Sequence, residues 1–172
     1  WAHAPLDALS MLMRGHSLSA EQIERLEVRT FAESASLFPG IPTTTSQAQY
    51  SLAFALAAMM VHGHVGPDQI SGDGLTDGNV AALLPRIFVQ EEPRHSARFP
   101  AQRCADITLA LSDGRTLCSG DVEARGGPEA PLAREEVEAK LHVFADHVIG
   151  QERASSLWRA RESILSERST AR

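Results

Sequence analysis

Two residues near the start of the chain, His3 and Asp7, have the types and spacing for acid–base work. A histidine titrates near neutrality, so it can give or take a proton in the physiological range. Asp7 lies one helical turn further on the same face, where a carboxylate can orient or charge an imidazole. On the residues alone, the plainer account of His3 is an exposed histidine near a terminus. A second set lies in the segment PTTTSQAQYSLAFALAAMMVHG, residues 42–63. Thr45 and Gln49 sit where a helix should open, and the free amides over residues 43–49 could receive a carboxylate. Ser51 falls on the third turn of that helix. Its plainer role is a hydrogen bond to the carbonyl of Gln47, one turn back.

The remaining candidates are weaker. Lys140 is the sole lysine and reads as a solvated helix charge. His62 and His64 could ligate a metal, but no third ligand follows at a usable spacing, so no metal is expected. His95, His142 and His147 read as surface residues. The glycine-rich stretch 66–78 lacks a phosphate-cradling motif, and no cofactor is expected. Cys104 and Cys118 flank a hairpin turn at Asp113-Gly114. If Ser112 pairs with Arg115, Cys118 faces Leu109 and Cys104 faces Glu123. The sulfurs are then roughly 16 Å apart at strand rise, too far to bridge. Two free thiols fit a cytoplasmic protein.

The elements that must hold these residues can be read from periodicity and punctuation. A helix is predicted over residues 5–14, stopped by Gly15, and Ser19 with Gln22 forms a capping-box pattern. Alternation predicts strands at 26–31, 87–89, 105–111 and 117–124. Ser46 and Gln49 form a second capping-box pattern at the head of one long helix running to Gly63. That helix is apolar on every side, so protein must enclose it, more than this chain alone is expected to supply. A short helix is predicted at 77–84, one opened by Pro131, and a last one beyond Gly150. The fold class is α+β: about four strands, at least three in one antiparallel sheet, with helices on one side. The 172 residues, 43% apolar, suffice for one good-sized domain. The net charge of −6 and the lack of a basic run argue against nucleic acid and anionic membrane as partners. The apolar run 52–61 is too short to span a bilayer.

Four segments in order resemble the MmgE/PrpD family, which includes 2-methylcitrate dehydratase, cis-aconitate decarboxylase and iminodisuccinate epimerase. They are His3 to Ala8, similar to a His-x-x-x-Asp-Ala helix start; residues 42–63, similar to a Pro-x-(Ser/Thr) segment with Ser51 in register; residues 99–115; and Pro131-Leu132 with Glu135, Glu136 and Lys140. The chain departs from the family's usual residues at Gln47 (commonly Glu), Gln49 (commonly basic) and Phe54 (commonly a tyrosine that reaches the site). The resemblance implies the later part of a longer, homodimeric protein. Residues 1–16 would form a helix at a domain junction and 17–130 a lid-like α+β domain. Residues 131–166 would return to an absent all-helical domain, with a frayed tail at 167–172.

The resemblance also implies a reaction. A proton is removed next to a carboxylate of a small di- or tricarboxylate; water or carbon dioxide then leaves, or the proton returns on the other face. His3 and Asp7 would be catalytic, and Ser51, Gln49 and Thr45 would meet the substrate. A 2-methylcitrate dehydratase-like lyase is the first expectation, with decarboxylase or epimerase as alternatives. This stretch alone should be inactive, because the family's other acid–base groups lie in the helical domain. The competing reading is a non-catalytic α+β module that binds a small acid or a partner chain.

Overall fold

The computed structural model describes residues 1–128 and 130–169, without the side chains of 162 and 164–169. In chain order the elements are α1 (His3–His16), β1 (Ile23–Thr30), α2 (Ala32–Ala35), α3 (Thr45–Gln49), α4 (Leu52–His62), α5 (Gly78–Leu83), β2 (Ile87–Glu91), α6 (Pro93–Ser96), β3 (Cys104–Leu111), β4 (Thr116–Cys118), β5 (Val122–Glu123), α7 (Arg134–Ile149) and α8 (Gln151–Ser169). They fall into two units, Trp1–Arg125 and Gly126–Arg172.

The first unit is a five-stranded mixed sheet of order β2-β1-β3-β4, with β5 also on β3. This is the α+β class read from the sequence. β1, β3 and β4 are antiparallel as expected, while β2 adds a parallel edge beside β1, reached by the long crossover through α2 to α5. Alternation sends Leu26 and Val28 of β1, and Ile107 and Leu109 of β3, into the core. A register shift between Ile23 and Arg25 lets Ile23 join them, although it is an odd number of residues from Leu26. The opposite face of the same ladder carries Arg25, Glu27, Arg29, Asp106 and Thr108.

The long helix expected over residues 42–63 is two helices. α3 ends at Gln49, and α4 begins after Ser51. Ser51 has extended backbone angles, and its Oγ accepts the Phe54 N–H at 3.3 Å. It is therefore the N-cap of α4 rather than a third-turn residue bonded to Gln47. Likewise Thr44, not Ser46, caps α3, its Oγ1 accepting the Gln47 N–H at 3.2 Å. The expectation that α4 needs enclosure from outside is also corrected. α1, α5 and β2 pack around it, burying Leu52, Phe54, Leu56 and Met60. Burial of a side chain such as Phe54 or Leu56 contributes roughly 2 kcal/mol.

The β3–β4 hairpin turns through three residues, not two. Gly114 (φ 84°) takes the left-handed position, and Leu111 N–H donates to the Arg115 carbonyl at 2.9 Å. Cys118 therefore pairs with Thr108 rather than Leu109, whereas Cys104 opposes Glu123 as expected. The one-residue difference is taken up between β4 and β5. Both cysteines are free.

In the second unit α7 and α8 pack on each other. Glu136 Oε2 accepts the Ala133 N–H at 2.8 Å and so caps α7. Val137, Phe144 and Val148 of the stripe read from the sequence are exposed, as is Leu157 of α8. Ile164 and Leu165, also read as part of the α8 stripe, lie outside the described side chains. α8 runs through Ser169, and residues 170–172 of the expected tail lie outside the described residues. No helix among the described residues is long and apolar enough to cross a membrane.

Candidate functional site

His3 is the first residue of α1 and is exposed, while Ala4, Pro5, Ala8, Leu9 and Leu12 turn the helix's apolar face into the core. Pro5 is tolerated because it falls in the first turn, where N–H groups have no intrahelical acceptor. Asp7 does not partner His3. Its Oδ2 accepts the Arg125 backbone N–H at 3.3 Å, tying the chain after β5 to α1. The helical spacing is as predicted, but no hydrogen bond or ion pair joins the two side chains.

Thr45 and Gln49 are exposed on α3. Amides just before and within this helix are already engaged: Gln47 Oε1 accepts the Thr43 N–H at 2.8 Å, and Thr44 accepts that of Gln47. Two of the amides over residues 43–49 are thus satisfied by side chains of the same segment. Ser51 is 2% exposed and works as a cap. No hydrogen bond connects His3, Thr45, Gln49 and Ser51 with one another. Phe54, at the tyrosine position, is 2% exposed among core side chains. Lys140 is exposed on α7.

The densest polar cluster in the first unit was not legible as such. His95, expected at the surface, has no exposed area; its Nε2 lies 2.8 Å from Asp106 Oδ2. An ionised carboxylate can only accept, so Nε2 carries the proton, and Nδ1 is buried with no hydrogen-bond partner among the described residues. Asp106 is itself 3% exposed. Arg29 Nε donates to its Oδ1 at 2.7 Å, and Arg94 Nη2 donates to Oδ2. Arg94 Nη1 also reaches Asp121 Oδ1 at 3.0 Å, and Arg98 holds Asp121 Oδ2 at 2.9 Å.

Burial pushes the Asp106 carboxyl up, but hydrogen bonds from His95 and Arg29, with the charges of Arg29 and Arg94, outweigh it and hold the group below its ordinary 3.8. The Arg29 guanidinium is raised by the same hydrogen bond and charge. Ligand atoms of His95, Asp106 and Asp121 lie within 4.8 Å of one another, a spacing a metal could use. The Arg94 guanidinium, however, already bridges the two carboxylates, and Arg29 and Arg98 add further positive charge. The cluster is an ion network, not a cation site. The sequence carries one trace of it: an aspartate on the polar side of a strand whose other side is apolar.

A cleft of about 500 Å³ runs beside β2, lined by residues including Arg25, Glu27, Phe38, Leu52 and Phe88. Its size suits a small ligand, but none of the five residues singled out from the sequence lines it.

An α+β domain with an exposed histidine at the head of a buried helix, and a capped apolar helix behind it, fits the class of domain anticipated from the motifs. The family model of the MmgE/PrpD C-terminal domain matches residues 1–164, and the chain belongs to that family of enzymes. A curated relative is the cis-aconitate decarboxylase-like protein oryM of Aspergillus oryzae, 28% identical over 182 aligned residues. The alignment covers 98% of this chain and 36% of the relative, so the chain spans about a third of that protein's length.

Proposed function

We propose that this chain is the C-terminal portion of a cofactor-independent lyase that removes a proton next to a carboxylate of a small di- or tricarboxylate. The observation that carries the reading is the family match over residues 1–164, which begins on the His-x-x-x-Asp-Ala motif and so includes the exposed His3. An exposed imidazole at a helix start can meet a substrate held against this domain. Thr45 and Gln49 offer a hydroxyl and an amide to a substrate carboxylate. Ser51 acts through the start of α4 rather than by touching substrate. Asp7, bonded to Arg125, contributes by holding α1 in place.

Two outcomes compete: a proton is removed and water leaves, or a carboxylate leaves as carbon dioxide and the acid–base group instead gives a proton to carbon. Water loss from a 2-methylcitrate-like hydroxy acid, in a cytoplasmic homodimer, is the reading made from the motifs. Loss of carbon dioxide from an unsaturated tricarboxylate is the second reading, favoured by the name of the relative oryM. The test is to incubate the full-length protein separately with 2-methylcitrate and with cis-aconitate, following products by proton NMR and released carbon dioxide. Turnover of either supports the lyase reading and chooses the outcome. Binding of both without turnover supports the competing small-acid-binding module instead.

A further inference from the structure

The buried His95–Asp106 pair takes no part in the chemistry proposed above, and neither residue lines the cleft beside β2. Its place in the fold gives it another task. α6 is fixed at several points. Glu92 N–H, just before it, donates to the Thr30 carbonyl at 2.8 Å; Ser96 Oγ accepts the Ala32 N–H at 3.0 Å; and the His95 imidazole is held by Asp106 at 2.8 Å. The helical turn continues beyond α6 through Arg98 N–H to the His95 carbonyl and Phe99 N–H to the Ser96 carbonyl, both at 3.2 Å. Phe99 thus stands four residues after His95, one turn on. Its ring stacks on Phe31 with centroids 4.6 Å apart and 12° between planes. Trp1 sets its ring edge-on to both, at 6.2 Å from Phe31 and 6.0 Å from Phe99. The Ser34 hydroxyl donates to the Trp1 carbonyl at 3.3 Å. Two residues later α1 begins with His3.

We infer that His95 and Asp106 are positioning residues for His3: they lock α6 to the sheet, α6 presents Phe99, and the Phe31–Phe99–Trp1 cluster fixes where α1 starts. This rests on the reading of His3 as the acid–base group. The imidazole is suited to the task because one nitrogen is spent on Asp106 and the other is sealed from water, so it acts as a strut and not as a base. Aromatic pairs in these geometries attract one another beyond what burial alone supplies, enough to bias one arrangement of a helix start. Misplacing a catalytic group by an ångström lowers turnover far more than binding.

The experiment uses the full-length protein with Trp158→Phe, so that within this stretch Trp1 is the remaining tryptophan. Any tryptophan elsewhere in the protein is replaced likewise. His95→Leu should shift Trp1 emission to the red, move the Hε1 resonance of His3, and lower kcat on the order of tenfold with KM within about twofold. His95→Gln, which keeps a donor toward Asp106, should restore the parent signals. Phe99→Ala should reproduce His95→Leu with the Asp106 contact intact, and it decides the matter if His95→Leu does not fold. Arg98→Ala removes the contacts to Asp121 and to the Cys104 thiol at the outer end of the network, and should leave Trp1 and His3 as in the parent. The inference is overturned if folded His95→Leu or Phe99→Ala leaves both spectroscopic signals unchanged, or if Arg98→Ala moves them equally. The spectroscopic readouts need no substrate. A parent without turnover whose Trp1 and His3 respond as described would therefore defeat the lyase reading alone.

Discussion

Arg29 and Asp106 stand opposite each other in the β1–β3 ladder, and their ion pair organises the polar face of the sheet. Asp106 accepts from Arg29 on one carboxylate oxygen, and from His95 and Arg94 on the other. Removing its charge leaves three donors facing a neutral group. Because both guanidiniums reach solvent, Asp106→Asn should cost about 2 kcal/mol, less than for a fully enclosed pair, or about 4–8 °C in Tm.

The same substitution has a pH signature. The folded-state pKa of Asp106 is depressed, so its contribution is fully present above its unfolded value near 4. It is lost as pH falls through the lower folded value. The stability difference between parent and Asp106→Asn, read from urea midpoints, should be constant from pH 8 down to about pH 5 and shrink steadily below about pH 4. A difference that grows on acidification would contradict the assignment.

The break in the long helix gives a separate test. Ser51→Ala removes the cap of α4 and should cost about 1 kcal/mol. Ser46→Ala, at the cap position the sequence pattern suggested, should change stability by less than about 0.5 kcal/mol, since Thr44 holds that role. Chemical denaturation of the two variants side by side checks the pair.

Why one cap was misplaced is instructive. The run from Leu52 to Val61 is so apolar that it masks any period, and Ser51 just before it resembles a tolerated polar residue within one longer helix. Only backbone angles reveal the non-helical step at residues 50–51. The elements with strong local signals were legible: the strand alternation in β1 and β3, the Asp113-Gly114 turn, the Gly63 stop. Register was less so, because a two-residue and a three-residue loop share the same Asp-Gly signal and differ by one position at Cys118. The parallel pairing of β1 with β2 and the burial of His95 depend on which distant segments meet, which no local pattern carries. At the candidate site, the exposed head of α1 and the burial of the apolar segment could be read from the sequence. The diversion of Asp7 to Arg125 could not, since its partner lies 118 positions away.

The cysteines report on that register. Cys104 is buried beneath the sheet's polar face and Cys118 is exposed opposite Thr108. Within this stretch, a thiol reagent should label Cys118 rapidly in the native protein and Cys104 only on unfolding; peptide mapping of the labelled sites decides it. Rapid native labelling of Cys104 would mean that β3 is paired differently.

The most direct test of the central claim is the turnover of the full-length protein with His3 replaced by glutamine, on whichever of 2-methylcitrate or cis-aconitate the parent consumes. A histidine that moves the proton is worth on the order of a hundredfold or more in kcat, so His3→Gln should lose at least that much while its thermal unfolding stays within about 2 °C of the parent, because the side chain is exposed. A folded His3→Gln protein with kcat within about threefold of the parent would contradict the account.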